Sequence, residues 1–207
     1  MAEKQYRKSE ITRERLLAVA EEEFAEWGFF GARVDEIARA ADINKRMLYA
    51  HFGSKEGLYS EVLLSVYERL AECEKQFIIE GLDPLASIRN IVFVSFKFLS
   101  DNPNFVRLLL WENLNRAGAV PRAELEKLKA PTLDYMRRQI KRGKLMGLFR
   151  ADADEYQTVL SLMNLCFSYF SNIHTMSAIL SRDMASESDI HARAEYISDM
   201  LIKYLQA

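Results

Sequence analysis

The stretch from Val34 to Leu58, VDEIARAADINKRMLYAHFGSKEGL, leaves this chain few folding choices. Val34, Ile37, Ala38 and Ala41 recur at i, i+3, i+4 and i+7, the apolar stripe of one helix. Asp42-Ile43-Asn44 then interrupts the pattern. Asn44 is placed to cap a second helix starting at Lys45, because its amide oxygen can accept from an orphan N–H of the first turn. That helix, Lys45–Phe52, is too short to persist in water unless it packs against something. Leu48 and Phe52 are its anchors, and Ile43 packs from the turn. The pattern therefore predicts two short helices joined by a tight turn, each needing the other.

The remaining faces of the second helix carry Lys45, Arg46, Met47, Tyr49 and His51. A short helix that displays cations and hydrogen-bonding tips, propped by a second helix, suits a DNA major groove. Arg46 can pair bidentately with guanine O6 and N7, and Met47 can pack on a thymine methyl. His51 is within reach of phosphate. An ordinary helical hairpin with a solvated basic face has the same spacing, so the cluster carries the reading rather than any single residue. The whole chain has a net charge of −2. Between Ile43 and Lys55, however, stand Lys45, Arg46 and Lys55 with no acid. A local basic face on a near-neutral protein is the footprint of a selective nucleic-acid reader.

Other classes are poorly served by the composition. Of 207 residues, 49% are apolar and only 4 are proline, which favours an all-α protein. The 2 cysteines, Cys73 and Cys166, lie far apart and match neither a metal spacing nor a disulfide framework. No apolar run approaches a membrane span and no signal peptide is visible, so a cytoplasmic protein is expected. No nucleophile elbow, phosphate loop or metal motif occurs, which predicts no enzyme and no cofactor.

Taken in order, Met1–Lys8 reads as a polar mobile arm, and a first helix runs from about Ser9 to Trp27, stopped by Gly28 in a left-handed conformation. Ser54 can cap a long connecting helix from Lys55 to about Ile79. Gly57 stands where a capping-box acid would complete that device. Further helices are expected over Pro84–Ser100, Phe105–Asn115 and Arg122–Leu145, the last with a possible kink at Pro131. Two long helices, about Asp154–Leu180 and Glu187–Leu205, finish the chain.

From Leu16-Leu17-Ala18 through Glu26-Trp27-Gly28-Phe29, then Val34-x-x-Ile37-Ala38, then Leu48-Tyr49-x-His51-Phe52-x-Ser54-Lys55-Glu56-x-Leu58, the sequence closely resembles the N-terminal domain of the tetracycline-repressor (TetR) family. It departs from the family pattern at Ala32-Arg33, where two hydroxyl residues usually cap the second helix, and at Arg46, where a small residue is usual. The resemblance implies a three-helix DNA-binding head with helix-turn-helix over 1–54 and a C-terminal helical ligand-binding and dimerisation domain over 55–207. Tyr49 and Lys55 match positions that grip phosphate in the family, and Arg33 stands where a phosphate-contacting hydroxyl is missing. The candidate DNA-binding set is thus Arg33, Asn44, Lys45, Arg46, Met47, Tyr49, His51 and Lys55.

The resemblance also implies a double-stranded palindromic operator read by a homodimer, with 154–180 and 187–205 of each copy forming a four-helix bundle. It implies a repressor released by a small apolar or aromatic effector held in the second domain. Candidate effector contacts are Phe93, Phe96, Lys97, Trp111, Met163, Asn164 and Phe167, although helical domains bury aromatics routinely without any ligand. A DNA-binding protein without a small-molecule effector is the alternative.

Overall fold

In a computed structural model the chain is described over residues 2–116 and 118–206, and the described residues form helices and turns without strands. The elements are α1 (Ala2–Gly31), α2 (Val34–Ala40), α3 (Lys45–Phe52), α4 (Lys55–Glu74) with a 3-10 turn at Lys75–Phe77, α5 (Pro84–Asp101), α6 (Pro103–Leu114), α7 (Arg122–Leu145), α8 (Glu155–Ser171), α9 (Ile173–Leu180) and α10 (Glu187–Gln206). They form two compact units. One holds the chain up to Glu68 together with Arg107–Leu125, and the other holds Arg69–Val106 together with the chain from Glu126 onward.

The first unit closes on Leu16, Ala20 and Phe24 of α1, Ile37 of α2, Leu48 of α3, and Leu58 and Leu63 of α4, all fully buried. Each large apolar side chain withdrawn from water in this way contributes about 1.5–3 kcal/mol before chain entropy is counted. The Phe24 ring meets Tyr59 edge-on at 4.8 Å. Trp111 of α6 packs against the end of α1, its Nε1 donating to the Ala25 carbonyl at 3.3 Å.

In the second unit α5 is central and packs on both α8 and α10. Its Ile88, Ile91, Val92 and Phe96 are buried, which is what an almost wholly apolar helix requires. Phe96 lies 5.5 Å from Tyr169 and 5.3 Å from Phe170 of α8. Asp83 starts α5 by accepting from the N–H groups of Leu85 and Ala86. Glu74 is buried at the end of α4, where Lys129 and Thr132 of α7 both bond to its carboxylate.

Several expected boundaries shift. The segment read as a mobile arm is helical from Ala2, so α1 starts at the front of the chain, while Met1 lies outside the described residues. Gly28 does take a positive φ of 65°, but its ψ of 177° is far from the left-handed helix, and helical bonding resumes to Gly31. The connector tightens into its 3-10 turn after Glu74 rather than continuing to Ile79. α6 begins at Pro103, two residues earlier than expected.

The helix expected over Asp154–Leu180 is broken into α8 and α9 at Asn172. There the Asn172 side chain donates to the Ser168 carbonyl at 2.9 Å, which its own backbone N–H also approaches at 3.3 Å. Asparagine's short amide offers the backbone this alternative to a helical ladder. Pro131 sits inside α7, which spans Arg122–Leu145 as expected.

Candidate nucleic-acid interface

α3 is held at both ends by its own sequence. Asn44 has extended backbone angles, and its Oδ1 accepts from the Met47 N–H at 2.9 Å. Gly53, at φ 74°, turns the chain out of the helix while its N–H donates to the Tyr49 carbonyl at 2.8 Å. Leu48 and Phe52 are buried beneath it. With those anchors inward, Lys45, Arg46, Met47 and Tyr49 are exposed. The helix thus presents a guanidinium, a thioether and a phenol on one outward surface, fixed by a cap and two apolar anchors.

The cations of this surface differ in freedom. Lys45 reaches back to Asp35 of α2 at 2.9 Å, and that hydrogen bond and charge raise its ammonium above its ordinary value. Arg46 makes no ion pair among the described residues. Arg13 of α1 lies over the Phe52 ring at 5.6 Å and pairs with Glu61 of α4, tying three helices together behind α3. His51 is half-buried, its ring 6.0 Å from that of Phe52.

The helix that follows is capped by Ser54, whose hydroxyl accepts from the Gly57 N–H at 3.1 Å. The missing capping-box acid has a steric cause: a Cβ at Gly57 would sit 2.1 Å from the Phe52 carbonyl oxygen. Lys55 donates to the Ala32 carbonyl at 2.6 Å and lies 5.0 Å from the Phe29 ring centroid. Its ammonium therefore closes the α1–α2 turn in this structure. Arg33, the residue before α2, is exposed and caps nothing with its side chain, while its N–H donates to Glu23 at 2.9 Å. The Asp35 and Ala32 partners escape sequence reasoning because both lie across a turn, outside any helical spacing.

The second unit brings together only part of the expected effector set. Phe93 and Lys97 line a cleft of about 450 Å³ with Cys73, Gln76, Val94 and Phe98 among its walls. Lys97 pairs with Asp101 at 2.8 Å. Burial pushes the Cys73 thiol above its ordinary value, so it stays protonated and poorly nucleophilic. Phe96 is in the core, Met163 and Asn164 are on the exposed face of α8, and Phe167 is half-buried there. Trp111 belongs to the first unit.

Residues 16–62 match the family described as bacterial regulatory proteins, tetR family, and residues 84–201 match the tetracyclin repressor-like C-terminal domain. This chain belongs to the TetR family. It is 33% identical over 199 residues to the HTH-type transcriptional repressor NicS of Pseudomonas putida, across 94% of this chain and 92% of that one. It is 35% identical over 104 residues to the HTH-type transcriptional regulator RutR of Escherichia coli, about half of each chain. The ketosteroid transcriptional regulator KstR2 of Mycobacterium tuberculosis shares the fold, with a TM-score of 0.72 over 94% of this chain and 95% of that one at 20% identity.

As a TetR-family member the chain is a DNA-binding transcriptional regulator, and α2–α3 is its helix-turn-helix. No described helix is long and apolar enough to cross a membrane. Among the described residues no group of His, Cys, Asp and Glu is arranged to hold a metal ion.

Proposed function

We propose that this TetR-family chain is a repressor that binds a palindromic operator as a homodimer and leaves it when a small apolar or aromatic effector binds. Residues 1–54 act as the reading head, and 55–207 as the effector-binding and dimerising body. The observation that carries the reading is the outward surface of α3. Arg46, Met47 and Tyr49 are exposed there on a helix immobilised by Asn44, Leu48 and Phe52. Arg46 and Met47 read base edges, with Lys45 beside them. Tyr49, His51, Lys55 and Arg33 position the head on phosphates.

The dimer is supported by two apolar stripes left in solvent. Tyr156, Leu160 and Met163 of α8, and Tyr196, Met200 and Tyr204 of α10, are all exposed at helical spacing. Stripes of this size on a soluble chain mark an interface. The effector reading is supported by the cleft beside Phe93 and Lys97, whose volume suits a small molecule. NicS carries the word repressor in its name, which favours that sign of regulation here.

The experiment is fluorescence anisotropy with the duplex upstream of the protein's own coding region, at two salt concentrations, against a random duplex. Preferential binding that weakens steeply with salt is expected, because phosphate contacts release counterions. Indifference between the two duplexes contradicts the reading.

A further inference from the structure

Lys45 is the first residue of α3, and Arg46 follows it. Two cations at this end oppose the partial positive charge of a helix N-terminus, where acids are the favoured residues. α3 has no acid in its own first turn. The counter-charge comes from α2 instead. Asp35, the second residue of that helix, meets the Lys45 ammonium at 2.9 Å. The next residue, Glu36, turns back within α2 and pairs with Arg39.

The Asp35 and Lys45 side chains are 66% and 47% exposed, so their pair adds little to stability. An acid in this place also stands beside the surface that α3 presents to DNA, where it repels phosphate. The chemistry of an ammonium accounts for the arrangement. It has three donors and no acceptor, so Lys45 held by Asp35 has donors left for a second partner. A neutral acceptor such as guanine O6 or N7 joins the pair without opposing it. A phosphate brings a second negative charge against the Asp35 carboxylate, and must displace that carboxylate or do without Lys45.

We propose that Asp35 is a specificity-determining residue: it withholds Lys45 from phosphates and leaves it for base edges, and so lowers affinity for DNA in general more than affinity for the operator. The proposal rests on α3 being the reading helix.

The test is fluorescence anisotropy of the full chain with a random duplex across a salt series, and with the duplex upstream of the protein's own coding region. Asp35→Asn should bind random duplex about threefold or more tighter at low salt. The slope of log affinity against log salt should steepen by about 1, as one further phosphate contact requires. Preference for the upstream duplex should fall by a similar factor. In a Lys45→Gln background Asp35→Asn should change little, because the ammonium it would release is gone. Glu36→Gln removes the same charge one residue away and should leave affinity and slope unaltered. Asp35 and Lys45 are exposed, and a damaged head would lose affinity rather than gain it. The random-duplex arm needs no operator, so the two readings fail separately. An unaltered protein that treats both duplexes alike defeats the operator reading. Unaltered affinity and slope in Asp35→Asn, an equal gain in Glu36→Gln, or a gain that survives Lys45→Gln would overturn the role of Asp35.

Discussion

The indole of Trp111 lies directly on Gly28, so closely that a Cβ at position 28 would come within 2.7 Å of its Cδ2. Gly28 also holds a φ of 65° with a ψ of 177°, a combination that side-chain-bearing residues rarely adopt. The glycine thus serves two needs at one point: a bend between Trp27 and Phe29, and room for an aromatic ring from α6.

Gly28→Ala should therefore lower stability by at least about 2 kcal/mol, from backbone strain and overlap together. Urea unfolding measures it. In a Trp111→Ala background the same substitution should cost less, because the overlap part is gone. An equal cost in both backgrounds would mean that strain alone is responsible.

Arg46 and Lys55 should fail differently. Arg46→Ala should relax preference at one base pair by about 1–3 kcal/mol while retaining affinity for other sequences. Lys55→Ala should weaken binding to all duplexes alike and reduce the slope of log affinity against log salt by about 1. Anisotropy across a set of single-base operator variants separates the two. Equal, unselective losses would remove the division between reading and gripping.

The sequence made the reading helix legible because its determinants are local. An N-cap at Asn44, anchors at Leu48 and Phe52, and a glycine at 53 define α3 at the bounds the pattern predicts. Arg122–Leu145 was equally readable as α7. What stayed hidden depends on contacts between distant residues or on competition within one residue. Trp111 reads as a candidate effector contact, and only the fold shows that it packs on Gly28. Lys45 and Lys55 read as cations of the DNA-binding face, and the sequence does not show that Asp35 and the Ala32 carbonyl hold them. Asn172 looks compatible with a helix until its side chain takes the Ser168 carbonyl. Glu74 and Glu112 are buried, and no helical spacing marks either of them.

The dimer makes a separate demand. Leu160→Asp, placing a charge in the exposed stripe of α8, should yield a folded monomer by sedimentation velocity, with a melting temperature below that of the unaltered protein and no longer dependent on protein concentration. Operator affinity should fall steeply with it, since one head makes half of the contacts. A variant that remains dimeric would place the interface elsewhere.

Acid should loosen the turn between α7 and α8. Arg150 grips Asp152 through two hydrogen bonds, of 2.6 and 2.7 Å, and holds its carboxyl at about 2, below the ordinary value of 3.8. A carboxyl depressed in the folded state stabilises it above its unfolded value, and that contribution fades as pH falls through the folded one. The pair should thus weaken between pH 3.8 and about 2, and Asp152→Asn should lack that part of the acid dependence. Because Asp152 is exposed and Arg150 only half-buried, the effect should be small. Melting temperature against pH for both proteins checks it.

The central claim is that two copies of α3 enter successive major grooves on one face of a duplex. Once footprinting has located the two half-sites, the direct measurement is affinity for an operator lengthened between them by about 5 base pairs, roughly half a helical turn. The account predicts that affinity falls close to that for random duplex, and recovers in part when about 10 base pairs are inserted. Affinity unaffected by the half-turn insertion would contradict it.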